Sequence, residues 1–269
     1  MEWWQALALG LVEGLTEYLP VSSTGHLILA QRVLGIEQGA ASNAYAICIQ
    51  AGAILAVLGL YRARVLQVLR GLFGKDSEGL ALLWRLSAAF APAAVVGLLF
   101  DDKIEEVLFG LKPIVGAWLV GGLAILIFGR ARGERDSEEG MDLAQLSLKG
   151  AFLIGCCQCL ALWPGTSRSL VTIVGGLMVG LSMARAVEFS FLLGVLTLLA
   201  ATLYKAIGDG PVMLESYGAM PLLVGTLAAW FFAVVSVRWM VSWLNRNGLA
   251  VFGWYRVLLA LSVGFWLAF

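Results

Sequence analysis

The chain has 269 residues, 60% of them hydrophobic and only 13% charged, with a formal net charge of +0. Soluble domains carry about 25% charged residues, so this composition excludes an ordinary soluble globular protein and indicates one polytopic membrane domain over 1–269. The neutral balance offers nothing to nucleic acid, whereas 32 glycines suit close helix contacts and ten tryptophans suit interfacial anchoring.

The N-terminus, Met1-Glu2-Trp3-Trp4, has neither the basic segment nor the cleavage site of a signal peptide, and none is expected. The first apolar stretch is interrupted by a polar run, Glu13-Gly-Leu-Thr-Glu17-Tyr-Leu-Pro20-Val-Ser22-Ser23-Thr24-Gly25-His26, which contains the only histidine. An ionisable group near a bilayer centre costs at least ~2.5 kcal/mol, so these residues are functional candidates. Stretches of about 20 apolar residues cross a bilayer, while those of 10–14 more often re-enter. On that criterion about six transmembrane helices are expected, near 43–61, 82–100, 111–130, 186–205, 218–243 and 249–269. Two pairs of shorter stretches read as re-entrant helical hairpins: 4–19 with 24–35, broken at Pro20, and 147–163 with 168–182, broken at Pro164-Gly165.

The hairpins resemble each other. Gly10-Leu-Val-Glu13-Gly-Leu15 aligns with Gly155-Cys-Cys-Gln158-Cys-Leu160 at an offset of 145, and Pro20-Val-Ser22-Ser23 with Pro164-Gly-Thr166-Ser167 at 144 after a one-residue slip. Three long spans follow each hairpin, an odd number, so the second copy is inverted. The predicted fold is therefore all-α with an inverted-topology repeat: repeat one about 1–130, repeat two about 147–269, and a solvated charged linker over 131–146. The loop 62–85 holds Arg62, Arg64, Arg70, Lys75 and Arg85; the loop 130–149 holds Arg130, Arg132, Arg135 and Lys149; Arg238 and Arg246 lie at a further turn. The opposite side has only Arg32, Lys103, Lys112 and Lys205. The first set is cytoplasmic by the positive-inside rule, so the hairpins enter from opposite faces and meet near the midplane, as in inverted-repeat transporters.

Cys156 and Cys159 spell C-x-x-C beside Cys157, and Cys48 lies far away. With no histidine nearby, small buried thiols are expected rather than a redox pair or a metal site.

Glu13 and Glu17 share one helix face, where two carboxylates repel unless a proton or cation intervenes. Hard oxygen ligands of this kind suit a divalent cation, Mg²⁺ or Ca²⁺. Ser22, Ser23 and Thr24 after one break, and Thr166 and Ser167 after the other, suit helix N-caps, and the helix ends they open are anion sites. Arg168 adds a planar fork that fits phosphate. His26, one turn after Ser23, is placed for proton transfer. No G-x-S-x-G elbow supports a serine hydrolase.

Glu13-x-x-x-Glu17 with Pro20-Val-Ser-Ser-Thr-Gly-His26, and Trp163-Pro-Gly-Thr-Ser-Arg-Ser169-x-x-Thr172, closely resemble the bacterial undecaprenyl pyrophosphate phosphatases of the bacitracin-resistance type. Cys157-Gln-Cys-Leu-Ala-Leu-Trp-Pro-Gly and Glu188-Phe-Ser-Phe-Leu-Leu extend the resemblance over the chain. It implies an enzyme of the bacterial inner membrane, open to the periplasm. Such an enzyme removes the terminal phosphate of undecaprenyl pyrophosphate with a divalent cation, recycling the lipid carrier for the cell wall. By motif position it implies Glu13 and Glu17 as the metal-binding acidic pair, Ser23 and His26 as a catalytic pair with Glu17, and Arg168 as the phosphate clamp. Ser22, Thr24, Ser167, Ser169 and Thr172 follow as further phosphate ligands. A serine nucleophile and an activated water both remain open. The rival is a transporter or flippase for an anionic polyprenyl lipid. Gly and Ala faces can pack within one protomer, against membrane lipids, or in a homodimer.

Overall fold

The computed structural model describes residues 1–132 and 139–268, without the side chains of residues 101, 105, 128–132 and 245. Its described residues are helices, short 3₁₀ turns and loops. The first hairpin is α1 (Trp3–Thr16) and α2 (Ser23–Val33), and α3 (Ala40–Cys48) and α4 (Gln50–Leu60) follow. Next come α5 (Arg62–Leu72), α6 (Ser77–Leu108) and α7 (Leu111–Arg132). The second hairpin is α8 (Leu148–Gln158), a 3₁₀ turn (Cys159–Leu162) and α9 (Arg168–Met178), followed by α10 (Met183–Gly208), α11 (Gly210–Tyr217), α12 (Ala219–Asn247) and α13 (Ala250–Ala268).

Among the described residues, five helical stretches are long and apolar enough to cross a membrane: Ala40–Leu60, Ser77–Phe100, Met183–Gly208, Ala219–Leu244 and Ala250–Ala268. Asp102–Leu108 and Leu111–Ile127, bent by 86°, make a sixth when taken together, and α7 occupies the span expected at 111–130. The hairpin helices are shorter, as their interrupted apolar runs require.

The packing repeats across the two halves. α1 lies along α12, and its counterpart α8 lies along α6, so the first helix of each hairpin packs on the other half's spans. α7 pairs with α13 and α4 with α10, each with its own counterpart. Both hairpins approach their partners backbone to backbone. A Cβ at Gly10 would strike the Gly225 carbonyl, and one at Gly155 the Ala89 carbonyl. Small residues of this kind let membrane helices pack closely where burial from water drives nothing.

The linker expected over 131–146 falls partly on 133–138, outside the described residues, as does Arg135. Its later part is docked rather than solvated. Leu143 and Leu146 are buried, Met141 bridges to Leu181, and Arg85 donates to the carbonyls of Ala144 and Leu146. Asp142 pairs with Arg185, which also pairs with Glu188, as does Arg64. Three apolar residues interleaved with the charges supply a footing that a charge run conceals. The thiols likewise depart from expectation: only Cys48 is buried, while Cys156 is exposed on the outer face of α8.

Candidate active site

The site lies where the two hairpin breaks meet. Among the described residues, Ser22 (φ 74°) and Ser167 (φ 76°) are the only non-glycine residues with positive φ, and each is the N-cap of its second half-helix. Such backbone costs ~1–3 kcal/mol and persists only where its surroundings impose it. The equivalence of Ser22 with Ser167 corrects the slip inferred from sequence. The offset of 145 holds from these caps through α2 and α9, so Ser23 corresponds to Arg168, and the same offset relates Glu13 to Gln158.

Irregular backbone inside a membrane persists only if its polar groups are satisfied by protein. At the first break the Leu19 carbonyl accepts from Ser169 Oγ (3.0 Å), Pro20 from Arg256 Nη1 (3.2 Å), Val21 from Trp118 Nε1 (3.1 Å) and Ser22 from His26 Nδ1 (2.7 Å). At the second break Arg256 donates to the carbonyls of Gly165 (2.8 Å) and Thr166 (3.0 Å), and it reaches Ala117 and Trp118 as well. Ser22 Oγ accepts from the Gly165 N–H at 3.0 Å. The two breaks are therefore bolted together by one fully buried guanidinium and one serine hydroxyl.

Glu17, just beyond α1, connects the half-sites. Its Oε2 accepts the Ser23 hydroxyl, and its Oε1 pairs with Arg168 Nη2 at 3.1 Å. Arg168 Nη1 donates to the Ser190 carbonyl (3.0 Å), its guanidinium lies 5.5 Å from the Tyr18 ring centroid, and Gly194 leaves space for it. Arg168 Nε and the Tyr18 hydroxyl have no hydrogen-bond partner among the described residues. Glu13, one turn before Glu17, is fully buried with both carboxylate oxygens unpartnered, and Glu17 and Arg168 are the charges that act on it.

The predicted residues divide. Glu13, Glu17, Ser23 and Arg168 converge. Ser23 bonds Glu17 rather than His26; the histidine faces Tyr255, whose hydroxyl lies 2.8 Å from Nε2 with the rings stacked. The Ser22 carbonyl can only accept, so Nδ1 carries a proton, and Nε2 is left to the Tyr255 hydroxyl. Ser22, Ser167, Ser169 and Thr172 spend their hydroxyls on protein. Ser22 takes Gly165, Ser167 caps α9 at the Leu170 N–H, Ser169 takes Leu19, and Thr172 takes the Arg168 carbonyl and Ser190 Oγ. These bonds tie the two hairpins to each other and to α10. Thr24 is half-buried within α2.

A sequence reading misses Arg256, Tyr255, Ser190 and Gly194. Arg256 carries the same signal as Glu13, a lone charge within an apolar span. The other three have ordinary side chains, and only the facing of α10 and α13 gives them a role.

Among the described residues no group of three or more His, Cys, Asp and Glu side chains could hold a metal ion. Two carboxylates are what Mg²⁺ uses when a substrate phosphate completes its shell, and the unpartnered oxygens of Glu13 fit such an ion.

Comparison with known proteins bears on this arrangement. A family model described as Bacitracin resistance protein BacA matches residues 6–262. An undecaprenyl-diphosphatase of Sorangium cellulosum is 44% identical over 98% of this chain and 86% of its own. Undecaprenyl-diphosphatase 1 of Chromobacterium violaceum is 44% identical over 97% and 95%, and the Acinetobacter baumannii undecaprenyl-diphosphatase 39% identical over 96% and 93%.

Proposed function

The chain belongs to the family described as bacitracin resistance protein BacA, and on that premise we propose that it hydrolyses undecaprenyl diphosphate to undecaprenyl phosphate and inorganic phosphate. The observation that carries this reading is the buried Ser23–Glu17–Arg168 chain, a hydroxyl, a carboxylate and a guanidinium drawn from both hairpins, read here as nucleophile, base and anion clamp. Arg168 and the N-terminus of α9 hold the terminal phosphoryl group, and positioning with charge stabilisation does most of the work in phosphoryl transfer. Ser23 Oγ attacks phosphorus in line as Glu17 takes its proton. The Oγ–P bond forms, the P–O bond to the lipid phosphate breaks, and the monophosphate lipid leaves. Water then cleaves the phosphoserine to release inorganic phosphate and restore Ser23. Tyr255 holds His26 beside this machinery, where the imidazole stabilises the first break.

Glu13, with Glu17, would hold a divalent cation, Mg²⁺ in our reading. When bound, it offsets the repulsion between the carboxylates and the diphosphate. The same reading places the protein in the bacterial inner membrane with the site open to the periplasm, in lipid-carrier recycling and bacitracin resistance.

The test is phosphate release from a polyprenyl diphosphate by the purified protein, with and without EDTA. We expect release that EDTA abolishes and Mg²⁺ restores, with Ser23→Ala and Arg168→Ala each at least 100-fold slower. Near-full activity of Ser23→Ala would replace the serine with an attacking water. Absence of release under any metal condition would overturn the phosphatase reading, and lipid movement across proteoliposomes would then support the transporter.

A further inference from the structure

One face of α10 receives the second hairpin. Ser190, Gly194 and Thr197 recur at i, i+4 and i+7 and so lie on one side of the helix. Ser190 takes Thr172 and Arg168, Gly194 accommodates the Arg168 guanidinium, and the Thr197 hydroxyl lies 2.9 Å from the Leu193 carbonyl of its own helix and 3.2 Å from Gln158 Oε1. Gly194 and Thr197 are separated by about 4.5 Å along the axis. The Gln158 amide therefore follows the Arg168 guanidinium by about one turn in the same groove.

Gln158 is 2% exposed, and its Nε2 has no partner among the described residues. A donor left buried and unpaired keeps its full desolvation penalty until something bonds to it. In the repeat it stands where Glu13 stands in the first hairpin. One half-site presents two unpartnered acceptors, suited to a cation, and the other an unpartnered donor, suited to an anion. Beyond Gln158 the chain passes directly into Cys159, Leu160, Leu162 and Trp163. With Val96 and Phe100 of α6 these line an apolar cleft of about 450 Å³ on the outer surface.

We propose that Gln158 Nε2 donates to the phosphoryl group that remains on the lipid, one turn along α10 from the Arg168 that holds the phosphoryl group removed. This assignment rests on the diphosphatase reading above. Arg168 already serves Glu17 and the Ser190 carbonyl, so the second phosphoryl group needs a donor of its own. A neutral amide brings no net charge to the anion, so it holds it less tightly than a guanidinium does, which suits a group that must leave as product. The cleft beside Gln158 takes the first prenyl units of the same molecule.

The experiment uses the full-length protein with farnesyl diphosphate as substrate, and with farnesyl phosphate and inorganic phosphate as inhibitors. We expect Gln158→Leu to raise KM for farnesyl diphosphate about tenfold and to weaken inhibition by farnesyl phosphate equally. Inhibition by inorganic phosphate, which needs only the Arg168 end, stays unchanged. Gln158→Glu keeps the side-chain volume and the acceptor for Thr197, and it weakens farnesyl phosphate further by charge repulsion. It therefore decides the matter should Gln158→Leu fail to fold. Unchanged inhibition by farnesyl phosphate, or equal weakening of both inhibitors, overturns the assignment. If the wild-type protein releases no phosphate, the hydrolase reading falls. Direct titration of farnesyl phosphate against wild type and Gln158→Glu then still decides the subsite: weaker binding by the variant supports it and equal binding overturns it.

Discussion

A methyl group at position 194 would collide with the Arg168 guanidinium, and that collision isolates what the clamp's position is worth. Gly194 lies inside α10, where alanine is the better helix former by ~1 kcal/mol. Gly194→Ala therefore stands little risk of unfolding the protein, yet it pushes Arg168 out of line with Glu17. We expect KM for a polyprenyl diphosphate to rise at least tenfold in phosphate-release assays while the thermal midpoint in detergent moves by no more than a few degrees. Unaltered kinetics would mean that Arg168 has freedom the packing does not reveal. At this scale the acidic and basic residues were legible in the sequence, because a charge in an apolar run has few bland explanations. Gly194 and Ser190 were not, because small residues populate every membrane helix.

Each hairpin is a helix interrupted where the backbone turns back, and the carbonyls freed by the turn need donors. Arg256 supplies those of Pro20, Gly165 and Thr166 across both turns, with a buried, rigid fork whose partners are all backbone carbonyls. A lysine offers one short-ranged point of charge in place of that fork. In Arg256→Lys at least one carbonyl is left buried and unpaired, at ~1–3 kcal/mol each. We expect a clear fall in thermal midpoint together with lost activity, whereas Arg168→Lys loses activity with its midpoint nearly intact. Equal thermal midpoints for the two variants would show that Arg256 does not join the hairpins. The hairpins themselves were legible from interrupted apolar length and from Pro20 and Pro164. Their register was not, because the left-handed serines at 22 and 167 follow from the surrounding contacts rather than from residue type.

At the level of the whole molecule, neither half covers the first helix of its own hairpin. α1 lies on α12 and α8 on α6, so a half alone would expose the backbone faces around Gly10 or Gly155. A chain cut within 133–138 should recover phosphatase activity when both fragments are made together and none when either is made alone. Activity from a single fragment would refute the interlocked arrangement. The sequence by itself determined the all-α polytopic membrane class and marked out the charged residues within its apolar runs, because bilayer thickness and the cost of buried charge leave a one-dimensional record. Only the tertiary structure decided which groups meet. It paired Ser23 with Glu17 rather than His26, turned four hydroxyls toward protein, docked residues 140–146, and brought Arg256, Tyr255 and Gln158 to the hairpins. Those outcomes depend on which helix faces contact each other after the two halves interlock, and no local period or spacing encodes that.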